Sequence, residues 1–291
     1  MKMLIKRNLK LFFRDKANVF FSMLAVLIVI ILFVVFLADI MVNDIERALP
    51  HASSVDVSLA VAGLVLAGTI AVATVSSSLG GTARVVIDKE DAAKDFLVSP
   101  ISRTKLMFSY VISSGIIGFI MSGLALVTTI IYLILIGGGL PSFNNLALLI
   151  LTLFLGILSA NSMVFLITCF VKSESAHGSL STIIGTLIGF LTGVYLPIGQ
   201  LPSGVAWVIR LFPISHTASM FRQILAQDAL ESLFENAPAS ALSDIQEFFG
   251  VTFSFGSYTT NFLFSATVLL STSVVFYIIG LYLMKKQAFI K

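Results

Sequence analysis

Charge is scarce in this 291-residue chain, where Asp, Glu, Lys and Arg together make up 11 % of the residues against 57 % hydrophobic. A water-soluble domain carries about 25 % charged residues. That shortage, with a mean hydropathy of +1.02, excludes an ordinary soluble fold. Cysteine is nearly missing: the single Cys169 lies inside an apolar run, which excludes an intrachain disulfide, a cysteine metal cluster and a CxxC redox pair. The three histidines, His51, His177 and His216, are scattered, so no metal centre is expected. The chain also lacks GxxxxGK(S/T), a GxGxxG before a helix, HExxH and GxSxG. We therefore expect no catalytic residues, and any energy input must come from another chain.

What is present is apolar sequence in helix-length blocks, which predicts an all-α, polytopic bundle rather than a transmembrane barrel. Residues 1–18 read as an interfacial helix, with Ile5, Leu9, Phe12 and Phe13 on one stripe and Lys6, Lys10 and Arg14 on another. Six spans follow, at 19–38, 57–79, 106–136, 146–171, 179–196 and 261–284. The first is a run of 20 uncharged residues, about 30 Å at helical rise, and is expected to be retained rather than cleaved. An acidic link (Asp39, Asp44, Glu46, Asp56) leads to the second span, where Gly63, Ala67 and Ala71 form a small-residue face suited to close helix packing. The fourth span holds one strongly polar side chain, Asn161, read as a link between helices. The fifth carries a small-residue ridge of Ser181, Gly185, Gly189 and Gly193, with hydroxyls at Thr182, Thr186 and Thr192. Residues 197–260 read as an outer re-entrant hairpin around Val205–Leu211 and Trp207, followed by an external helical insertion over 227–258.

Lys and Arg fix the orientation. Fifteen fall on the side of the N-terminus, of residues 84–105, of Lys172 and of the C-terminus, whereas Arg47, Arg210 and Arg222 fall opposite. The positive-inside rule then places both termini in the cytoplasm. The basic residues flank spans instead of lining a solvated face, so no nucleic-acid partner is expected, only membrane lipid.

The densest charge lies in the cytosolic interval 80–105. Asp88 to Val98 fits a short helix with Glu90 and Lys94 at i, i+4, and Ala93, Phe96 and Leu97 form an apolar patch. Ser99 suits an N-cap and Pro100 the first position of the next helix. Phe96 and Leu97 fit a partner's groove, or pack back onto the chain's own helices; the pattern leaves both open.

Two stretches carry a resemblance. DKEDAAKDFLVSPISRTKL (88–106) resembles the cytosolic coupling region, and GVYLPIGQLPSGVAWVIRLFPISHTASMFRQIL (193–225) the broken fifth span and outer hairpin, of membrane-spanning permease subunits of type-2 ABC exporters. The six-span order and basic N-terminal helix extend the resemblance over essentially the whole chain. Phe108, Ser109 and Tyr110 stand where the family often has a glycine-lysine pair, and the outer insertion is long. The resemblance implies a homodimer, or a pair with a paralogous permease, working with two copies of a separate ABC ATP-binding subunit that holds ATP and magnesium. The coupling surface would use Asp88, Glu90, Asp91, Lys94, Phe96, Leu97, Ser99, Pro100 and Arg103. The second and fifth helices would line the path through Thr69, Ala73, Ser77, Thr182, Thr186 and Gly189. Leu196, Pro197 and Leu201 would form an outer constriction, although apolar residues there equally suit ordinary membrane packing. The chain is then expected in a bacterial plasma membrane, exporting an amphipathic drug, antimicrobial peptide or lipid-like molecule. A channel or secondary carrier independent of ATP, and a non-transporting scaffold, are the competing classes.

Overall fold

The computed structural model describes residues 1–48, 51–91 and 101–287. Helix α1 (Lys2–Arg14) is the basic N-terminal segment. Its buried stripe is Asn8 and Phe12; Phe13 of the expected stripe is exposed, and Asn8 faces inward to donate to Ser113 Oγ at 3.2 Å. Asp15 ends α1 and accepts from the Asn18 N–H at 3.0 Å, capping α2 (Lys16–Leu32). A residue whose backbone N–H closes one helix and whose side chain caps the next makes an elbow. Helix α2 continues through a π-helical turn, Phe33–Leu37, into α3 (Ala38–Ala48). Asp39, Asp44 and Glu46 are therefore helical rather than part of a link, and Asp56 belongs to the helix that follows.

Helix α4 (Ser54–Asp91) is the axis of the molecule. It is nearly all buried and touches α2, α3 and five later helices. Small residues permit this crowding: a Cβ on Gly63 would stand 2.6 Å from the Leu225 carbonyl oxygen, and one on Gly81 2.8 Å from Ser114 Oγ. The second span was expected to end at Leu79, but the helix runs on to Asp91. Its buried face explains why, since Gly81, Val85 and Asp88 repeat at helical spacing.

Helix α5 (Arg103–Leu135) starts at the N-cap Ser102, which accepts from the Lys105 N–H at 3.4 Å, so the expected Ser99 cap lies three residues too early. Helix α6 (Phe143–Phe170) returns across α4 and α5, its cap being Ser142. Hydroxyls stitch the three helices together: Ser77 Oγ lies 3.1 Å from Ser122 Oγ, and Thr168 donates to Thr82 at 3.4 Å. Asn161 holds two points of α5, accepting from Ser114 Oγ at 2.9 Å and donating to the Val111 carbonyl at 3.0 Å.

Helix α7 (Glu174–Leu191) begins and ends five residues earlier than the expected span 179–196. It ends at Thr192 and turns through Gly193, whose φ of +66° suits glycine. Two short helices follow, α8 (Ser203–Leu211) and the almost wholly buried α9 (Pro213–Leu225). Next come α10 (Gln227–Leu233), α11 (Ala239–Phe249) and a two-residue hairpin, β1 (Ser254–Phe255) against β2 (Tyr258–Thr259). Helix α12 (Phe262–Gln287) closes the bundle against α6. Among the described residues five helices are long and apolar enough to cross a membrane: Val26–Arg47, Ser54–Glu90, Thr104–Leu135, Phe143–Phe170 and Phe262–Met284. The protein is an all-α polytopic membrane protein.

Candidate functional site

The C-terminal end of α4 is where charged side chains meet. Asp88 is fully buried and accepts from Arg7 of α1 at 2.8 and 3.0 Å, from Tyr110 of α5 at 2.7 Å, and pairs with Arg84 one turn back at 2.5 Å. A carboxylate without access to water is tolerated only when its lone pairs are filled, and here donors from three helices fill them. The contact also holds the Arg7 guanidinium above its ordinary range, chiefly through the hydrogen bond to Asp88. Two residues on, Glu90 accepts from the Glu174 N–H at 2.9 Å. A carboxylate thus caps the N-terminus of α7 beside the Ser173 cap, where the helix dipole favours negative charge. The middle of α1, the C-terminal end of α4 and the N-terminal ends of α5 and α7 form one locked corner.

Of the nine residues predicted for partner coupling, Asp88 and Glu90 are the two whose side chains are described, and both make these internal contacts. Asp88 belongs to the long helix and does not open a separate short one. Lys94, Phe96, Leu97, Ser99 and Pro100 lie outside the described residues, and Asp91 and Arg103 are helical positions whose side chains are not described.

Above the corner, α2, α4 and α7 enclose a hollow of about 300 Å³. Asn18 and Ser22 of α2, Ser76 of α4, and Glu174, His177 and Ser181 of α7 give it a polar wall, while Phe21, Leu79 and Gly185 give an oily one. His177 Nε2 lies 3.1 Å from the Leu79 carbonyl. A carbonyl only accepts, so Nε2 carries the proton and Nδ1 is a bare acceptor, and that nitrogen is buried with no partner. His177 was missed as a site residue by sequence reasoning, which searched histidines for metal spacing.

The predicted path residues divide by helix. Thr69, Ala73 and Ser77 of α4 are buried within this chain. Thr182 and Thr186 of α7 are exposed and bond only their own helix, to the Gly178 and Thr182 carbonyls. Gly189 lies under the Tyr195 ring. Of the packing residues, Gly63, Ala67 and Ala71 are buried in the α4 contacts, Ser181 lines the hollow, and open space stands beside Gly185. Of the residues predicted for a constriction, Leu196 is exposed, Pro197 half-buried, and Leu201 packs with Ile198, Ile209 and Phe253.

Arg222, counted as an outer cation from sequence, is fully buried. It donates to the carbonyls of Leu64 at 3.0 Å, Thr192 at 2.7 Å, Gly193 at 3.2 Å and Gly250 at 3.4 Å. Four carbonyls from α4, the α7 turn and the end of α11 therefore converge on one guanidinium, a use that its planar fork of donors allows. A lone arginine among small and apolar residues in 217–224 was the signal available in the sequence.

This is a polytopic helical membrane protein, and no group of acids, histidines and cysteine among the described residues is placed to hold a metal. Residues 57–282 match the family described as ABC-2 family transporter protein. The chain belongs to that family, as the membrane component of a transport system rather than its catalytic part. No curated protein matches it.

Proposed function

We propose that the chain is the permease subunit of an ATP-driven exporter. Two copies would work with two ATP-binding subunits, which hold the ATP and magnesium; a paralogous permease in place of the second copy would serve equally. In this reading α7 is a sixth span, α8 and α9 are the outer re-entrant hairpin, and both termini are cytoplasmic in a bacterial plasma membrane. The cargo is an amphipathic drug, peptide or lipid-like molecule.

The observation that carries the reading is the locked corner at Asp88 and Glu90 lying directly beneath the α2–α4–α7 hollow. A push delivered at Asp88 and Glu90 reaches α4 and α7 through these contacts, and those helices wall the hollow. The exposed face of α7 at Thr182 and Thr186, with open space beside Gly185, is where a second copy would complete a path.

The test is transport from vesicles containing the chain and its ATP-binding subunit. ATP-dependent loading of an amphiphile is expected, together with nucleotide-dependent labelling of Thr182→Cys and Thr186→Cys. Transport by the chain without ATP would instead identify a channel or carrier. Replacement of Phe96 and Leu97 by Asp is expected to abolish association with the ATP-binding subunit; unchanged association would reject that docking surface.

A further inference from the structure

Helix α12 packs along α6 and meets α5 at few points. The gap left between the three helices is a groove of about 600 Å³. Phe108, Ile112 and Phe119 of α5, Phe154 of α6 and Leu281 of α12 give it oily walls, and Gly115 leaves a side chain out of the α5 wall. Asn161 and Tyr277 are the polar members of the lining. Asn161 is engaged with Ser114 and the Val111 carbonyl, and the Tyr277 ring lies 6.5 Å from that of Phe165. The groove therefore calls for apolar contact rather than for hydrogen bonds. All three helices are long and apolar enough to cross a membrane, and Phe108, Phe119 and Phe154 are exposed, so the groove opens onto bilayer hydrocarbon.

Its length selects the occupant. Phe119 is the middle of the 33-residue α5, and Phe108 to Phe119 covers about 16 Å at helical rise, against about 15 Å for half of a bilayer core. On α6 the lining runs from Phe154, near the middle, toward Phe170, and on α12 it lies in the half nearer Gln287. Three residues before Phe108, on the same helical stripe, stands Lys105, which is exposed and forms no ion pair with a described residue. We propose that this groove holds one acyl chain of an anionic phospholipid from the leaflet on the Lys105 side, with the lipid phosphate at the Lys105 ammonium. In the orientation proposed above that leaflet is cytosolic; the site is otherwise separate from the export reading, since α5, α6 and α12 do not wall the α2–α4–α7 hollow. A transmembrane helix of a second copy would continue across the whole core, whereas the lining ends at mid-membrane, where an acyl chain ends. A zwitterionic headgroup brings its own cation and gains less from Lys105 than an anionic one.

The experiment uses the full chain in phosphatidylcholine nanodiscs, without any ATP-binding subunit. Phosphatidylglycerol carrying a diazirine in one acyl chain is photolysed, and labelled peptides are read by mass spectrometry beside the matching phosphatidylcholine probe. Labelling by the phosphatidylglycerol probe is expected to concentrate on the groove peptides around Ile112 and Leu281 and to saturate. Ile112→Trp, which fills the groove, cuts it by about fivefold or more, while Ile131→Trp, on the exposed far half of α5, leaves it unchanged. Lys105→Gln lowers the apparent affinity for phosphatidylglycerol about fivefold and Lys105→Arg holds it within about twofold. Lys105 is exposed, so its variants decide the matter even where Ile112→Trp does not fold. Labelling spread evenly over both halves of α5, equal labelling by the two probes, an unchanged Lys105→Gln, or disulfide-linked dimers of Ile112→Cys, which a covering second copy would give, overturns the proposal. Because ATP plays no part, failure here leaves ATP-driven export standing, and failure of export leaves this labelling standing.

Discussion

Asp88 offers a sharp test of how the N-terminal helix is held. Asp88→Asn keeps the shape and removes the charge. The fully buried carboxylate loses its charge-assisted bonds to Arg7, Arg84 and Tyr110. Breaking a buried pair by removing one partner costs about 3–5 kcal/mol, but the two arginine side chains are 33 % and 27 % exposed and reach water when released. We therefore expect about 2 kcal/mol of destabilisation. Arg7→Gln, cutting one bidentate contact at a partly exposed position, should cost about 1 kcal/mol. The two share an interaction, so the double variant should fall short of the sum by about 1 kcal/mol. Unfolding in mixed micelles titrated with dodecyl sulfate, followed by circular dichroism, measures all four corners of the cycle. Costs that add within about 0.3 kcal/mol would refute the coupling of α1 to α4 through this pair.

Arg222→Gln leaves several of its four carbonyls without a donor and should lower stability by about 3 kcal/mol, with Arg222→Lys rescuing only part because it lacks the planar fork; the same titration reads both. Gly63→Ala drives a methyl against the backbone at Leu225 and Ala226 and should cost about 1–3 kcal/mol, whereas Gly185→Ala, with open space beside it, should be near neutral in the isolated chain.

The helical class, the long apolar elements and the family were legible because burial in lipid demands whole helices of apolar residues, and those cannot hide in a sequence. Three features escaped for one reason, namely that a charged residue reads as exposed until its partners are known. Asp88 looked like the start of a solvent-facing helix, yet Arg7, which fills one side of its carboxylate, is 81 positions away. Arg222 counted as an outer cation, while its most remote carbonyl partner, Leu64, is 158 positions away. The extension of α4 to Asp91 could have been read from Gly81, Val85 and Asp88 continuing the buried phase past Leu79. Ser102 displaced Ser99 as the cap because both are serines in the same short polar segment, and local preference alone does not rank them.

Helix α4 is fastened at both ends, by Arg222 at Leu64 and by Asp88 at Arg7 and Tyr110. It is packed on nearly every side between them. A rod held this way transmits displacement but does not bend, because every bend would open voids along a tight interior. Helix α7 is different. Its face at Thr182, Gly185 and Thr186 is open, and its inner end hangs on the single bond from Glu174 to Glu90 and the His177 contact with Leu79. Motion driven from the inner corner should therefore shift α7 against a rigid α4. Spin labels at Val55 and Lys89, about 51 Å apart along the helix, should keep their separation with and without ATP in the assembled transporter. A pair at Val55 and Thr182 should not. A changed Val55–Lys89 distance would show that α4 bends, and the two fastenings would then have to be read as hinges instead of clamps.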